Sequence, residues 1–167
     1  MGQGPLGMDG FLFALTLFAA LGCGIVAGVF FAFSAFVMRA LASLPALQGI
    51  AAMQAINVAA VTAAFMVALL GTALACGALV VSSLLAWGEP FAAYLLAGGA
   101  FYLVGTIGPT GVYHVPRNEA LATVEPRGAG AEDHWSRYLR GWTVWNHLRF
   151  AAALAASATL VIALRIG

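Results

Sequence analysis

The polar side chains that are able to do chemistry are few, and most lie near the ends of the last two apolar stretches. They comprise two histidines, two asparagines and one arginine: His114, Asn118, Asn146, His147 and Arg149. An imidazole exchanges protons near neutral pH, and amide and guanidinium groups donate hydrogen bonds to oxygen. Unpaired amide and guanidinium groups are costly at membrane depth, so these side chains are expected to face a bundle interior. We predict that the five residues converge in a polar pocket; the alternative is a network that only holds helix ends together.

An aromatic wall is predicted beside this pocket. Its members are Trp135, Tyr138, Trp142 and Trp145. They follow one another at steps of three and four residues, so they share one helix face with Arg149, and Asn146 is the alternative to Trp145 as the residue on that face. Asn57 and Tyr113 are expected at the mouth of the same pocket. The competing interpretation for Trp135 and Tyr138 is an interfacial aromatic belt, with Arg149 reaching toward the headgroups.

The three histidines also raise the question of a metal site. His114, His134 and His147 show no HxxxH or ExxH spacing, and no acidic residue lies inside an apolar span to complete a carboxylate site. We therefore predict no metal and no metal ligands, with copper or iron held by the histidines as the disfavoured alternative. Ser34 has no histidine or acid near it in sequence, which disfavours nucleophilic catalysis.

The composition of the chain indicates which class of protein contains these residues. Of the 167 residues, 63% are hydrophobic and only 8% are charged, whereas soluble domains are about 45–50% apolar and about 25% charged. These values exclude a soluble globule and a disordered chain. A formal net charge of +1 offers no basic field, so no nucleic-acid partner is expected.

Four apolar stretches are each long enough to cross a bilayer as a helix, which takes about 20 residues. We predict an all-α, four-helix transmembrane bundle that forms one domain over residues 1–167. The expected spans are about 11–38, 58–87, 91–113 and 140–165, with connecting loops at 39–57 and 114–139. Pro116 is expected to end the third helix near Tyr113, and Asp133 is the expected N-cap of the fourth helix.

The arginines predict the orientation. Six of the seven lie at or near the two long connections, and only Arg165 lies toward the opposite side. By the positive-inside rule, the long loops are expected in the cytoplasm and both termini outside an inner, or plasma, membrane.

Four sequence blocks together resemble the anthrone oxygenase-like family of small membrane proteins. They are GVFFAFSAFVMRAL (residues 28–41), LPALQGIAAMQAINVAA (44–60), HVPRNEAL (114–121), and the pattern of Trp135, Tyr138, Trp142 and Trp145-Asn146-His147 that ends in Arg149. The resemblance covers nearly the whole chain in order. One departure is that His114 stands where the family's Asn-Val-Pro-x-Asn turn has its first Asn.

The resemblance implies an oxygenase that converts a planar, anthrone-like aromatic to a quinone with molecular oxygen and needs no organic cofactor. The residues present are compatible with that reaction. We expect His114 or His147 to remove a proton, Asn118, Asn146 and Arg149 to stabilise the oxyanion, and Trp142 and Trp145 to hold the rings. The expected partners are a lipophilic aromatic molecule, oxygen and the lipid bilayer. The alternative function is a non-catalytic protein that binds such a molecule or acts as a scaffold, and a homo-oligomer is left open.

Overall fold

The computed structural model describes residues 7–167, which form helices joined by short connections and contain no strand. Within this range four helices are long and apolar enough to cross a membrane, which confirms the predicted all-α bundle. A shorter apolar helix lies between the first two of them. The helices are α1 (Gly10–Ala42), α2 (Ala46–Ala59), α3 (Ala63–Leu85), α4 (Ala92–Ala122) and α5 (Ala131–Ile166).

The spanning helices run alternately up and down, so the bundle has two distinct ends. At one end, here called the terminal end, the amide of Met8 donates to the carbonyl of Gly167 at 2.9 Å, beside the turn at 86–91. At the other end, the loop end, lie α2 and the connections at 43–45, 60–62 and 123–130. The N-terminus is predicted to lie on the outer side of the membrane, but residues 1–6 are not among the described residues.

Small side chains allow the helices to approach closely. The fully buried core between α1 and α5 is rich in alanine, including Ala19, Ala153 and Ala156. Gly99 of α4 lies against α3 so tightly that an added Cβ atom would be 2.8 Å from the carbonyl oxygen of Cys76. Van der Waals packing of small residues is the usual basis of helix association in lipid.

The second predicted span, 58–87, begins later than expected because the chain breaks at residues 60–62. Thr62 adopts an extended conformation, and its side chain accepts a hydrogen bond from the amide of Phe65 at 3.3 Å. It is therefore the N-cap of α3. Within the predicted 39–57 connection, most residues belong to the separate helix α2.

The third helix does not end near Tyr113, and the predicted 114–139 loop is mostly helical. Immediately before Val115, residues Thr110–His114 form a π-type turn, and the helix then continues through Pro116 to Ala122. A proline removes one backbone donor and crowds the preceding turn, and wider π-type turns are a common way for a helix to absorb such a disturbance. Only residues 123–130 connect α4 to α5.

The last helix, whose membrane span is predicted at 140–165 and whose expected N-cap is Asp133, begins at Ala131. Its N-cap is Gly130, with φ +82°, and not Asp133, which lies within the first turn beside Glu132. The left-handed conformation at residue 130 favours glycine, and two acids in the first turn interact well with the helix dipole.

Candidate functional site

A cavity of about 620 Å³ lies at the loop end of the bundle, where all five helices contribute to its wall. Most of the wall is apolar, with Phe30 and Phe33 from α1 and the indole of Trp142 from α5. Its polar side chains are Asn57, Thr62, Thr110, His114, Asn118 and Arg149. Two lining residues, Val61 and Leu70, are 71% and 51% exposed, so the cavity opens to the outside of the bundle beside α3.

Three of the four π-type turns contribute to this wall. The turns at Phe33–Val37, Val67–Gly71 and Thr110–His114 supply Phe33, Leu69, Leu70, Thr110 and His114. A π-type turn inserts an extra residue and rotates the side chains that follow it, and such turns are frequent at functional sites. The cavity therefore lies where helix geometry departs from the regular α-helix.

Among residues 7–167, Arg149 is the only charged residue that lines the cavity, and only 5% of it is exposed. Its NH1 donates to the Thr110 hydroxyl at 3.3 Å and its NH2 to Asn146 Oδ1 at 2.7 Å, while Nε has no partner. The guanidinium carbon is 4.1 Å from the centroid of the Phe30 ring and 5.2 Å from that of Trp142. No ion pair of Arg149 is found in the described part of the chain, so its positive charge has only neutral neighbours.

Asn146 holds Arg149 in place from behind the cavity wall. It is fully buried, and its Nδ2 donates to the carbonyl of Phe30 and to the hydroxyl of Ser34, both at 2.8 Å. Its Oδ1 is the acceptor for Arg149. Asn146 therefore joins α1 to α5 and supports the guanidinium, but it does not line the cavity itself.

His114 lines the cavity but is held on both sides. Its Nδ1 lies 3.1 Å from the carbonyl oxygen of Pro109, and its Nε2 lies 3.3 Å from that of Trp142. A neutral imidazole has one N–H, so only one of these contacts is a hydrogen bond at a time.

Asn118 is the centre of a second polar group. Its Oδ1 accepts from the hydroxyl of Tyr138 at 2.7 Å and from Nε1 of Trp142 at 3.1 Å. Asn57 lines the cavity from α2, and its Nδ2 is buried without a hydrogen-bond partner.

Six of the residues predicted to belong to the site do not line the cavity. Asn146 and Tyr138 contact residues of its wall from behind, and the other four are Tyr113, Trp135, Trp145 and His147. His147 is exposed, and Trp145, which is 37% exposed, stacks on Tyr113 with ring centroids 5.0 Å apart. Trp135 is buried between Tyr138 and Gly49, where it packs α5 against α2. The structure therefore brings His114, Asn118 and Arg149 to one cavity wall and places Asn146 behind it, whereas His147 points out of the bundle.

Sequence reasoning missed two residues that contact Arg149, namely Phe30 and Thr110. The ring of Phe30 gave no signal because it is one of eleven phenylalanines. Thr110, in contrast, could have been recognised from the sequence. It lies next to Pro109 in a mainly apolar span, four residues before His114. A hydroxyl at that position falls on the same helix face as the imidazole.

The histidines do not cluster. Among residues 7–167, no group of three or more His, Cys, Asp or Glu side chains is arranged to hold a metal ion. A second cavity of about 450 Å³ lies between the start of α2 and the 126–133 segment, and none of the predicted site residues lines it.

Comparison with known proteins gives one match. The family model described as anthrone oxygenase matches residues 64–159, more than half of the chain, and the matched segment runs from the start of α3 into the second half of α5. No curated protein and no solved structure matches the chain. The matched residues include His114, Asn118, Trp142 and Arg149 of the cavity. The chain therefore belongs to the anthrone oxygenase family.

Proposed function

We propose that the protein oxidises a planar, anthrone-like aromatic to a quinone with molecular oxygen in the cavity at the loop end. Family membership supports the reaction class. The single observation that carries the proposal is Arg149, a buried cation without an acidic partner in the wall of an apolar cavity. A buried charge needs compensation, and an anion formed on the substrate supplies it.

The first step is loss of a proton from the carbon between the two aromatic rings. The electron pair of the broken C–H bond then spreads to the carbonyl oxygen on the opposite side of the central ring, which becomes an enolate oxygen. Arg149 is placed to donate to this oxygen, and stabilising charge as it develops is the most effective contribution a site of this kind makes.

The enolate then reacts with oxygen directly. In balance, one anthrone and one O2 give one quinone and one water: the ring carbon loses two hydrogens and gains one oxygen, and O2 is reduced by four electrons. Because the enolate itself supplies electrons to O2, we propose that no organic cofactor takes part.

The aromatic wall suits a flat substrate. Phe30, Phe33 and Trp142 line the cavity, and their rings offer stacking and edge contacts to fused rings. Both O2 and an uncharged polycycle dissolve well in hydrocarbon, which is consistent with a site inside the membrane-spanning bundle.

His114 is the proposed base, because it is the imidazole that lines the cavity. To accept a proton from the substrate it must give up the longer of its two contacts, the one to the Trp142 carbonyl at 3.3 Å. The family's asparagine at this position is unable to act as a base at neutral pH, so the role proposed for His114 is specific to this chain.

Oxygen uptake by the purified protein on addition of anthrone tests the reaction, with the uncatalysed rate in empty micelles subtracted. We expect Arg149→Gln to lower the rate by about 10²–10³-fold, the usual cost of losing a donor to a developing oxyanion. His147→Ala is the matched control on the same helix, and it is expected to keep the wild-type rate because His147 points away from the cavity. Quenching of tryptophan fluorescence by anthraquinone without oxygen uptake would identify a binding protein instead.

The base is tested separately by His114→Asn, which restores the family's residue. A loss of about 10²-fold or more agrees with general-base catalysis. An unchanged rate would show that the charge of Arg149 alone is sufficient to ionise the substrate.

We also propose that the loop end, and with it the cavity, faces the cytoplasm of an inner membrane. The six arginines on that side support this orientation.

A further inference from the structure

Asn118 presents a hydrogen-bond donor whose direction is fixed by its neighbours. Two donors, the Tyr138 hydroxyl and Nε1 of Trp142, point at the same amide atom, so that atom is the oxygen. The amide nitrogen of Asn118 must then point away from both. No hydrogen bond of this nitrogen is found within residues 7–167, and Asn118 lines the cavity.

Asn57 adds a second donor to the same wall, and it lies beside the Tyr138 hydroxyl that donates to Asn118. Its Nδ2 is one of four buried polar side-chain atoms without a hydrogen-bond partner among the described residues. Another of the four is Nε of Arg149. A buried donor without an acceptor costs about 1–3 kcal/mol, so two of them around one cavity indicate that acceptors are supplied from inside it.

Arg149 and Asn118 contact different parts of the Trp142 indole, Arg149 over the face of the ring and Asn118 at its Nε1 edge. The guanidinium carbon of Arg149 is 5.2 Å from the centroid of this ring, and Asn118 Oδ1 is 3.1 Å from its Nε1. A flat ligand that packs on the cavity-facing aromatic groups therefore meets a cation on one side and amide donors on another.

We propose that Asn57 and Asn118 form a second oxygen-binding point, so that the cavity selects flat aromatics with oxygen at two opposite positions. This inference rests on the proposed function. In the proposed reaction, the second of the two positions is the ring carbon to which O2 adds, and the two amides donate hydrogen bonds to the oxygen bound at that carbon. Asn57 and Asn118 are specificity-determining residues. Tyr138 does not line the cavity and is a positioning residue that fixes the Asn118 amide.

Binding of two stable probes in detergent, followed by isothermal titration calorimetry, tests the proposal without turnover. 2-Naphthol has one oxygen, and 2,6-dihydroxynaphthalene has a second oxygen at the far end. After correction for the twofold statistical advantage of its two identical ends, we expect wild type to bind the diol about tenfold more tightly, the equivalent of one good hydrogen bond.

The variants assign this preference to residues. Asn57→Leu and Asn118→Leu are expected to reduce the ratio of the two dissociation constants several-fold toward one. Asn118→Asp keeps an acceptor for Tyr138 and Trp142 but has no amide donor, so it should lose the ratio even if the leucine variant folds poorly. Tyr138→Phe should lower the ratio in part, because the Asn118 amide is then less firmly oriented.

Gln54→Leu is the matched control. It removes an amide from the same helix as Asn57, but Gln54 donates to the carbonyls of Leu121 and Val124 and does not line the cavity. The ratio is expected to stay at its wild-type value.

The outcomes separate the two proposals. A wild type without the preference, or asparagine variants that keep it, would overturn the second oxygen-binding point. Two other results would instead contradict the proposed oxygenase reaction: no oxygen uptake by the wild type, or a wild-type rate of uptake in Arg149→Gln.

Discussion

At the scale of single residues, Asn146 uses both ends of its amide in the interior of the bundle. Its nitrogen donates to α1, at the Phe30 carbonyl and the Ser34 hydroxyl, and its oxygen accepts from Arg149 on its own helix. One side chain thereby connects the packing of two helices to the position of the cavity's only charge. A change at Asn146 is expected to affect stability and binding together.

Asn146→Leu keeps the branched shape of the side chain in a somewhat larger volume and removes all three hydrogen bonds. We expect it to lower the free energy of unfolding by about 1–3 kcal/mol, because Arg149 NH2 loses its acceptor and the Phe30 carbonyl loses one of its donors. We also expect weaker binding of 2-naphthol. Thermal unfolding and calorimetry in the same detergent measure the two effects.

The control for this variant is Ser34→Ala. It removes one of the two acceptors of Asn146 Nδ2 and leaves the bond to Phe30 intact. Its loss of stability should be smaller than that of Asn146→Leu, and a larger loss would contradict the role given to Asn146.

The helical period predicts the buried face of α5 well but not every residue assigned to the site. Trp135, Tyr138, Trp142, Asn146 and Arg149 are all buried along it, as steps of three and four require. His147 follows Asn146 directly and is rotated about 100° from it, so the two are unable to share that face. Both are polar, and only the packing of α1 against α5 shows which of them points inward.

At the scale of the helices, the contact between α3 and α4 depends on a missing side chain. An added Cβ at Gly99 would be 2.8 Å from the Cys76 carbonyl oxygen and 2.6 Å from Cγ2 of Val80. A backbone carbonyl is unable to move aside as a flexible side chain does. The two helices are therefore close enough here that only glycine fits.

Gly99→Ala should lower the free energy of unfolding by about 1–3 kcal/mol, the typical cost of overpacking. Gly77→Ala is the matched control on α3, because nothing lies within 4 Å of its Cβ position. It is expected to raise stability by about 0.5–1 kcal/mol through its better helix propensity. Equal effects of both substitutions on thermal unfolding would argue against a close α3–α4 contact.

The helices themselves could be predicted from hydropathy, whereas their irregularities depend on contacts distant in sequence. Each span contains an apolar run long enough to cross a bilayer, but the break at 60–62 contains neither glycine nor proline, and the N-cap of Thr62 is its only local sign. The π-type turn at Val67–Gly71 accompanies a hydrogen bond from the Tyr102 hydroxyl on α4 to the Leu69 carbonyl. No local pattern in α3 reveals that partner.

At the scale of the whole molecule, the two ends of the bundle differ in construction. The terminal half is filled by small and aliphatic side chains such as Ala156, Leu160 and Ala163, which are fully buried. The loop end is widened by α2 and by π-type turns, and it contains the cavity. The rigid half therefore supports the half in which ligands are proposed to bind.

The proposed orientation predicts which engineered cysteines react with a membrane-impermeant maleimide. In intact cells, Gly88→Cys at the terminal end should be labelled, and Ala129→Cys in the connection from α4 to α5 should be labelled only after the membrane is opened. The native Cys23 and Cys76 are buried and give little background. The reverse pattern would place the cavity on the outer side.

The uncompensated charge of Arg149 predicts that ligand binding stabilises the whole bundle. At a 2-naphthol concentration of 100 times Kd, the gain is about 2.7 kcal/mol from mass action alone. Thermal unfolding should therefore shift upward by a few degrees in wild type. In Arg149→Gln the shift at the same concentration should be smaller, and an equal shift would show that Arg149 does not contribute to binding.

Two exposed residues at the edge of the cavity, Val61 in the break before α3 and Leu70 within α3, bear on the route by which the proposed ligand enters. Because Leu70 lies in a candidate membrane span, we expect the ligand to reach the opening by lateral diffusion in the bilayer, which would act as a reservoir. Occupancy then follows the mole fraction in the membrane and not the aqueous concentration, so a modest intrinsic Kd suffices for a strongly partitioning aromatic. A sugar conjugate of the same aromatic would be retained in water and excluded from the site.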